Sequence, residues 1–169
     1  AGHTIVATVP AQHMYGFESS ILLTLHGGSR VWRGRPFYPA DIGTALAAAP
    51  APRMLVTTPF HLSNVVSSGI RMPACDLVLC ATAPLSAELA HTAEALFDSP
   101  LVEIYGCTES GQVASRRTTS GPTWQLLPGL AMHADEGRAW VSGGHVEGSV
   151  ALTDHIAIVD GDRFSLGDR

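Results

Sequence analysis

At 169 residues, 46% hydrophobic and 15% charged, the chain can bury a real core and is too apolar to be disordered by composition. A formal charge of -5, with no basic block, argues against nucleic acid as a partner. All ten basic residues are arginine, which excludes a Walker-type phosphate loop and Schiff-base chemistry on lysine.

The three cysteines, Cys75, Cys80 and Cys107, lack the spacing of a metal site or a disulfide framework, so a reducing cytoplasm is the expected compartment. No apolar run approaches the roughly 18 residues of a membrane helix, and the start does not read as a signal peptide. The chain opens almost at once into a strand-like run and stops directly after another. We therefore expect a piece of a longer protein.

In chain order, Thr4 to Val9 is β-branched and reads as a buried strand ended by Pro10. Phe17, Ile21, Leu22 and Leu25 have helical spacing, and Gly27-Gly28 stops that helix. A short strand is predicted over 30–33. Pro39 opens a helix whose apolar face is Ile42, Ala45, Leu46 and Ala49. A strand over 53–58, a helix from Pro59 to near Gly69, and a strand over 76–81 follow. Ser86 is a plausible N-cap, with Leu89, Ala93, Leu96 and Phe97 as the buried stripe behind it. The next strand is predicted over 101–105.

This alternation means an α/β layer with a mostly parallel sheet flanked by helices. From Trp124 onward, short strand-like runs broken by glycine indicate a small β-barrel-like subdomain. The expected division is 1–120, α/β, and 121–169, small and all-β.

Two strand ends carry small polar residues where open α/β sheets place their ligands. One is Ala81 to Ser86; the other is Tyr105 to Gly111. Parallel strands would put both on one sheet edge. A tyrosine and small residues suit a flat ring; Thr108 suits a phosphate oxygen, and Glu109 suits Mg²⁺. From the residues alone this points to a nucleotide, without naming a reaction.

At this point the chain resembles the adenylate-forming superfamily of acyl-CoA synthetases, aryl-acid ligases, luciferases and peptide-synthetase adenylation domains. Tyr105-Gly106-Cys107-Thr108-Glu109 is similar to its Tyr-Gly-x-Thr-Glu motif. Ala81-Thr82-Ala83-Pro84-Leu85-Ser86 is similar to its Gly-Gly-Ala-Pro-Leu-Ser segment, and His13-Met14-Tyr15-Gly16 to its His-x-x-Gly element. Thr153-Asp154 resembles its Thr-Gly-Asp motif without the glycine, and Asp168-Arg169 the pair that precedes its hinge.

The resemblance implies ATP or AMP and Mg²⁺ as cofactors. Tyr105 would stack on adenine, with Thr82, Ala83 and Pro84 lining the other side and Glu103 near its amino group. Gly106 would border nucleotide and acid. Thr108 would bond the α-phosphate, Glu109 would hold Mg²⁺, Asp154 would accept the ribose hydroxyls, and Arg169 would contact ribose or phosphate. His13 and Gly16 would border the acyl carboxylate. The implied partners are a carboxylic acid, aromatic or of medium-to-long chain, and coenzyme A or an acyl carrier protein as thiol acceptor.

The family's lysine-ending phosphate loop and the catalytic lysine of its C-terminal domain are missing. The resemblance thus implies a large-domain fragment that is inactive alone. The alternative is a degenerate module, binding nucleotide or protein without catalysis. An α/β-hydrolase lacks its G-x-S-x-G here, and a dinucleotide oxidoreductase its G-x-G-x-x-G. The seven remaining histidines, His145 among them, lack ligand spacing and read as surface or packing residues.

Overall fold

The computed structural model describes residues 2–135 and 138–167. Two compact units are present: Ala1–Glu103 with Arg117–Thr119, and Ile104–Arg116 with Ser120–Arg169. Strand β5 (Leu101–Cys107) contributes its first three residues to one and its last four to the other.

In the first unit the strands are β1 (Thr4–Ala7), β2 (Arg30–Val31), β3 (Arg53–Thr57), β4 (Leu77–Cys80) and the start of β5. They lie in the order β5-β4-β3-β1-β2, and every pair is parallel. Parallel strands are covered on both faces, which is why Thr4-Ile5-Val6-Ala7 is buried throughout rather than alternating. The helices are α1 (Met14–Gly16), α2 (Leu23–Gly27), α3 (Pro39–Ala48), α4 (Pro59–Ser67) and α5 (Ala87–Phe97).

Local chemistry sets their ends. Proline stands in the first turn of α3 and α4, where a missing N–H costs nothing. The Ser86 hydroxyl accepts from the Leu89 N–H at 3.2 Å and caps α5. Ile42, Leu46, Leu62, Val65, Ala90 and Phe97 then close on Val6, Leu55, Val78 and Leu101. Phe97 and Leu101 are fully buried, each contributing about 2–3 kcal/mol by leaving water.

Between α1 and α2 the chain runs through a π-helical stretch, Phe17–Leu22. Spacing alone predicts Phe17, Ile21, Leu22 and Leu25 as the buried stripe. Instead Ser19 and Ser20 are buried, while Phe17 and Leu25 stand 44% and 70% exposed. A π turn takes more residues per turn than an α turn, so the buried face shifts. The polar side chains are tolerated there because Ser20 Oγ donates to the Gly16 carbonyl and Thr24 Oγ1 to that of Ser20.

One carboxylate binds the return segment to this unit. Glu94 accepts from the Leu101 N–H at 2.8 Å, from Arg117 at 2.8 and 3.0 Å, and from the Thr119 hydroxyl at 3.1 Å. The Arg117 guanidinium, with help from those donors, holds the Glu94 carboxyl below its ordinary value.

In the second unit the end of β5 is followed by β6 (Gly111–Arg116), β7 (Trp124–Leu126), β8 (Leu130–Asp135), β9 (Arg138–Gly143), β10 (Val146–Leu152), β11 (Ile156–Asp160) and β12 (Arg163–Leu166). One sheet runs β5-β6-β7-β12-β11, and a three-stranded antiparallel sheet runs β10-β9-β8. Val113, Trp124, Leu126 and Phe164 of the first sheet pack with Val141, Val146 and Leu152 of the second. The architecture is therefore a parallel-dominated mixed sheet with flanking helices, plus a small antiparallel sheet.

Candidate functional site

The Tyr105–Gly111 stretch forms a tight hairpin between β5 and β6. The Ser110 N–H donates to the Cys107 carbonyl at 3.3 Å and closes the turn. The Ser110 hydroxyl lies 3.2 Å from Cys107 Sγ, accepts from the Cys107 N–H at 3.4 Å and donates to the Gly111 carbonyl at 3.1 Å. Ser110 is buried, and the turn it braces presents Thr108 and Glu109 to solvent. The backbone N–H of Glu109 itself, and secondarily the Cys107 side chain, hold the Glu109 carboxyl below its ordinary value. It is a charged, exposed oxygen donor, the type a hard divalent cation takes.

Two residues before the turn, the half-buried Tyr105 donates its hydroxyl to Asp154 Oδ2 at 2.9 Å. Its ring lies 5.6 Å from Trp124 and 5.7 Å from Phe164, centroid to centroid, in tilted and edge-on contact. Arg116 sits 4.4 Å over the Trp124 ring. Tyr105 and Asp154, 49 residues apart, are thereby joined, with Thr108 and Glu109 on the same strand end.

Gly106 is required by space. A Cβ there would lie 2.0 Å from the Gly111 carbonyl oxygen. Glu103 is 3% exposed, and its Oε2 accepts from the Thr118 hydroxyl at 2.5 Å.

In the first unit, His13 is exposed in extended backbone just before α1, and its carbonyl accepts from the Phe17 N–H at 2.8 Å. Gly16 is buried with the Pro10 carbonyl oxygen 2.1 Å from where a Cβ would stand. A cavity of about 390 Å³ opens along this strand-to-helix segment, lined by Val9, Pro10, Ile21, Val31 and other small or apolar groups, with Ser20 and Arg35 as its polar members.

Thr82, Ala83 and Pro84 are exposed after β4. Thr82 has φ of 86°, a region costly for a β-branched residue, and the family segment it resembles has glycine at that position. Releasing about 1–3 kcal/mol of strain outweighs the roughly 0.5–1 kcal/mol entropic cost of glycine. Thr82→Gly should therefore raise the urea midpoint by an amount worth about 1 kcal/mol. An unchanged or lower midpoint would show that no strain is held there. Arg169 lies outside the described residues.

His145, whose ring reaches the Ser110 carbonyl, carries no motif; only the folded chain brings it to the turn that bears Thr108 and Glu109. Among the described residues, no three His, Cys, Asp or Glu side chains converge as a closed metal cage. A single carboxylate is what a Mg²⁺ shared with phosphates asks of a protein. No helix among the described residues is long and apolar enough to cross a membrane.

A parallel sheet flanked by helices, with polar loops at its strand ends, defines an open-sheet α/β protein. The chain belongs to the AMP-binding enzyme family, whose pattern matches residues 1–165. A 4-coumarate–CoA ligase of Rhodobacter capsulatus is 29% identical over 136 residues, 80% of this chain and 34% of that protein. The chain thus spans about a third of the length of the curated relatives it matches. A benzoate CoA ligase from Burkholderia xenovorans LB400 has the same fold, with a TM-score of 0.79 at 14% identity over 99% of this chain and 42% of its own. ATP-bound MatB from Rhodopseudomonas palustris gives 0.74 at 19% identity over 97% of this chain and 40% of its own.

Proposed function

We propose that the protein containing this chain activates a carboxylic acid with ATP and passes the acyl group to a thiol, that of coenzyme A or a carrier protein. The observation that carries this reading is the second unit's Tyr105–Asp154 pair, set on the strand that ends in the Thr108–Glu109 turn. In the first half-reaction, the acid's carboxylate oxygen bonds to the α-phosphorus. The bond from that phosphorus to the bridging oxygen breaks, and its electron pair leaves with pyrophosphate. The thiol then displaces AMP from the acyl carbon.

The chain's side chains position and neutralise. Tyr105 offers its ring to adenine. Asp154, already oriented by the Tyr105 hydroxyl, has acceptor capacity for ribose hydroxyls. The Thr108 hydroxyl donates to an α-phosphate oxygen as charge builds there. Glu109 would hold Mg²⁺, which when bound neutralises phosphate charge. Thr82, Ala83 and Pro84, Glu103, Gly106 and Arg169 keep the nucleotide roles their motifs imply, and Gly106 also borders the acid. His13 and Gly16 flank the acid as their motif implies, and the acid is aromatic or of medium-to-long chain.

The test is acid-dependent exchange of labelled pyrophosphate into ATP by the intact protein, screened over aromatic and aliphatic acids. Exchange with at least one acid is the expected result. Its absence with every acid, while ATP binding persists, would replace catalysis with the non-catalytic module that a lysine-free chain also fits. The 169 residues alone should show no exchange.

A further inference from the structure

The turn bearing Thr108 and Glu109 is held from outside by a residue far away in sequence. The ring of His145 places Nε2 3.1 Å from the carbonyl oxygen of Ser110. We propose that His145 is a positioning residue for the phosphate- and metal-binding turn, a latch that fixes the Ser110–Gly111 peptide; this rests on the acid-activation reading.

The bond's chemistry fixes the ring's state. A backbone carbonyl only accepts, so Nε2 must carry the hydrogen, as in the neutral Nε2–H tautomer or the imidazolium. The mount is firm. His145 lies in the two-residue connection Gly144–His145 between paired Gly143 and Val146, with φ of 54° at Gly144, where the tightest hairpins admit glycine. Gly143 also pairs with Leu130 on the other side, and Val146 is buried in the core of this unit. These anchors hold the backbone of His145, whose exposed side chain reaches across to the Ser110 carbonyl.

The target is equally defined. Ser110 is 3% exposed, and its hydroxyl bonds stay inside the turn, to Cys107 and Gly111. The His145 contact comes instead from a different hairpin, 35 residues away. Thr108 and Glu109 have exposed side chains, so their aim depends on the turn's backbone. Holding the Ser110 carbonyl orients the Ser110–Gly111 peptide and, through it, the residues just before.

The experiment compares His145→Ala and His145→Gln in the intact protein. Glutamine's amide N–H reaches about as far as Nε2–H and restores the donor; alanine does not. His145→Ala should lower the exchange rate by a factor of about five to ten, the ordinary weight of one hydrogen bond. The KM for the acid should stay unchanged, since the turn serves phosphate and metal. His145→Gln should stay within about twofold of the parent.

Nitrogen NMR of the His145 ring should show a protonated Nε2, and the Gly111 amide, which shares the latched peptide, should shift in the alanine variant alone. A parental rate in His145→Ala, equal losses in both variants, or a bare Nε2 would each overturn the latch. Absence of exchange in the parent would overturn the acid-activation reading instead. The ring tautomer and the Gly111 shift would then decide whether the latch exists as a structural tie without a catalytic purpose, which would overturn the proposal as stated.

Discussion

Glu109→Gln in the intact protein should reduce acid-dependent pyrophosphate exchange by about 10²–10³-fold, the usual cost of removing a group that stabilises transition-state charge. Glutamine keeps the size and one carbonyl oxygen of glutamate. The lost quantity is the negative charge, and a hard divalent cation discriminates strongly on charge. Glu109 suits the part because its own backbone N–H and the Cys107 side chain favour the ionised form. The carboxylate is therefore charged throughout the neutral range. It is also exposed on the turn, so no buried partner is orphaned and the melting curve should stay essentially in place. The two readouts separate chemistry from folding: a collapsed rate with an unchanged melting curve assigns Glu109 to the metal. Exchange within about twofold of the parent would remove it from the site.

The first unit was legible because its physics is local. Buried parallel strands read as near-continuous apolar or β-branched runs, so 4–7, 53–57 and 77–80 announce themselves without any knowledge of their neighbours. Pro39, Pro59 and Ser86 mark helix starts by backbone chemistry that needs no tertiary context. Strand β8 was not legible: Leu130–Asp135 is mostly exposed and holds its place by pairing with β9, a relation no single segment encodes. Strand β6 hid for another reason. Gly111, which reads as the close of a loop, is its first residue. The π stretch misled a purely helical period, because the extra residue in its turn exchanges Phe17 for Ser19 and Ser20 at the buried face.

The site divides the same way. Tyr105, Thr108 and Glu109 fall within five residues, so a motif suffices to nominate them. The Asp154 carboxylate is joined to Tyr105 across 49 residues, and His145 to Ser110 across 35; only long-range pairing supplies those ties. Glu103 shows the limit of a motif reading. Its neighbourhood includes a buried hydrogen bond from Thr118, in the segment that Glu94 also holds through Arg117 and Thr119. Nothing near Glu103 in sequence indicates that partner.

Gly106→Ala should destabilise the protein by about 3 kcal/mol in urea unfolding, toward the upper end of what overpacking costs. The added methyl would meet the Gly111 carbonyl oxygen at 2.0 Å, the Gly111 carbonyl carbon at 2.9 Å and the Gln112 Cα at 3.0 Å. All three are backbone atoms of β6, and a strand cannot yield as a flexible side chain would. Gly161→Ala is the matched control: nothing lies within 4 Å of its added Cβ, so its effect should stay within about 0.5 kcal/mol. Equal midpoints for the two variants would mean that β5 and β6 are not in such close approach. A large gap would give the glycine of the Tyr-Gly-x-Thr-Glu motif a structural cause that precedes any ligand. Because Gly106 lets β6 pass so near, the chain can turn back within the three residues Thr108, Glu109 and Ser110. So short a turn keeps Thr108 and Glu109, for which we propose the phosphate and metal roles, at the end of the strand that carries Tyr105.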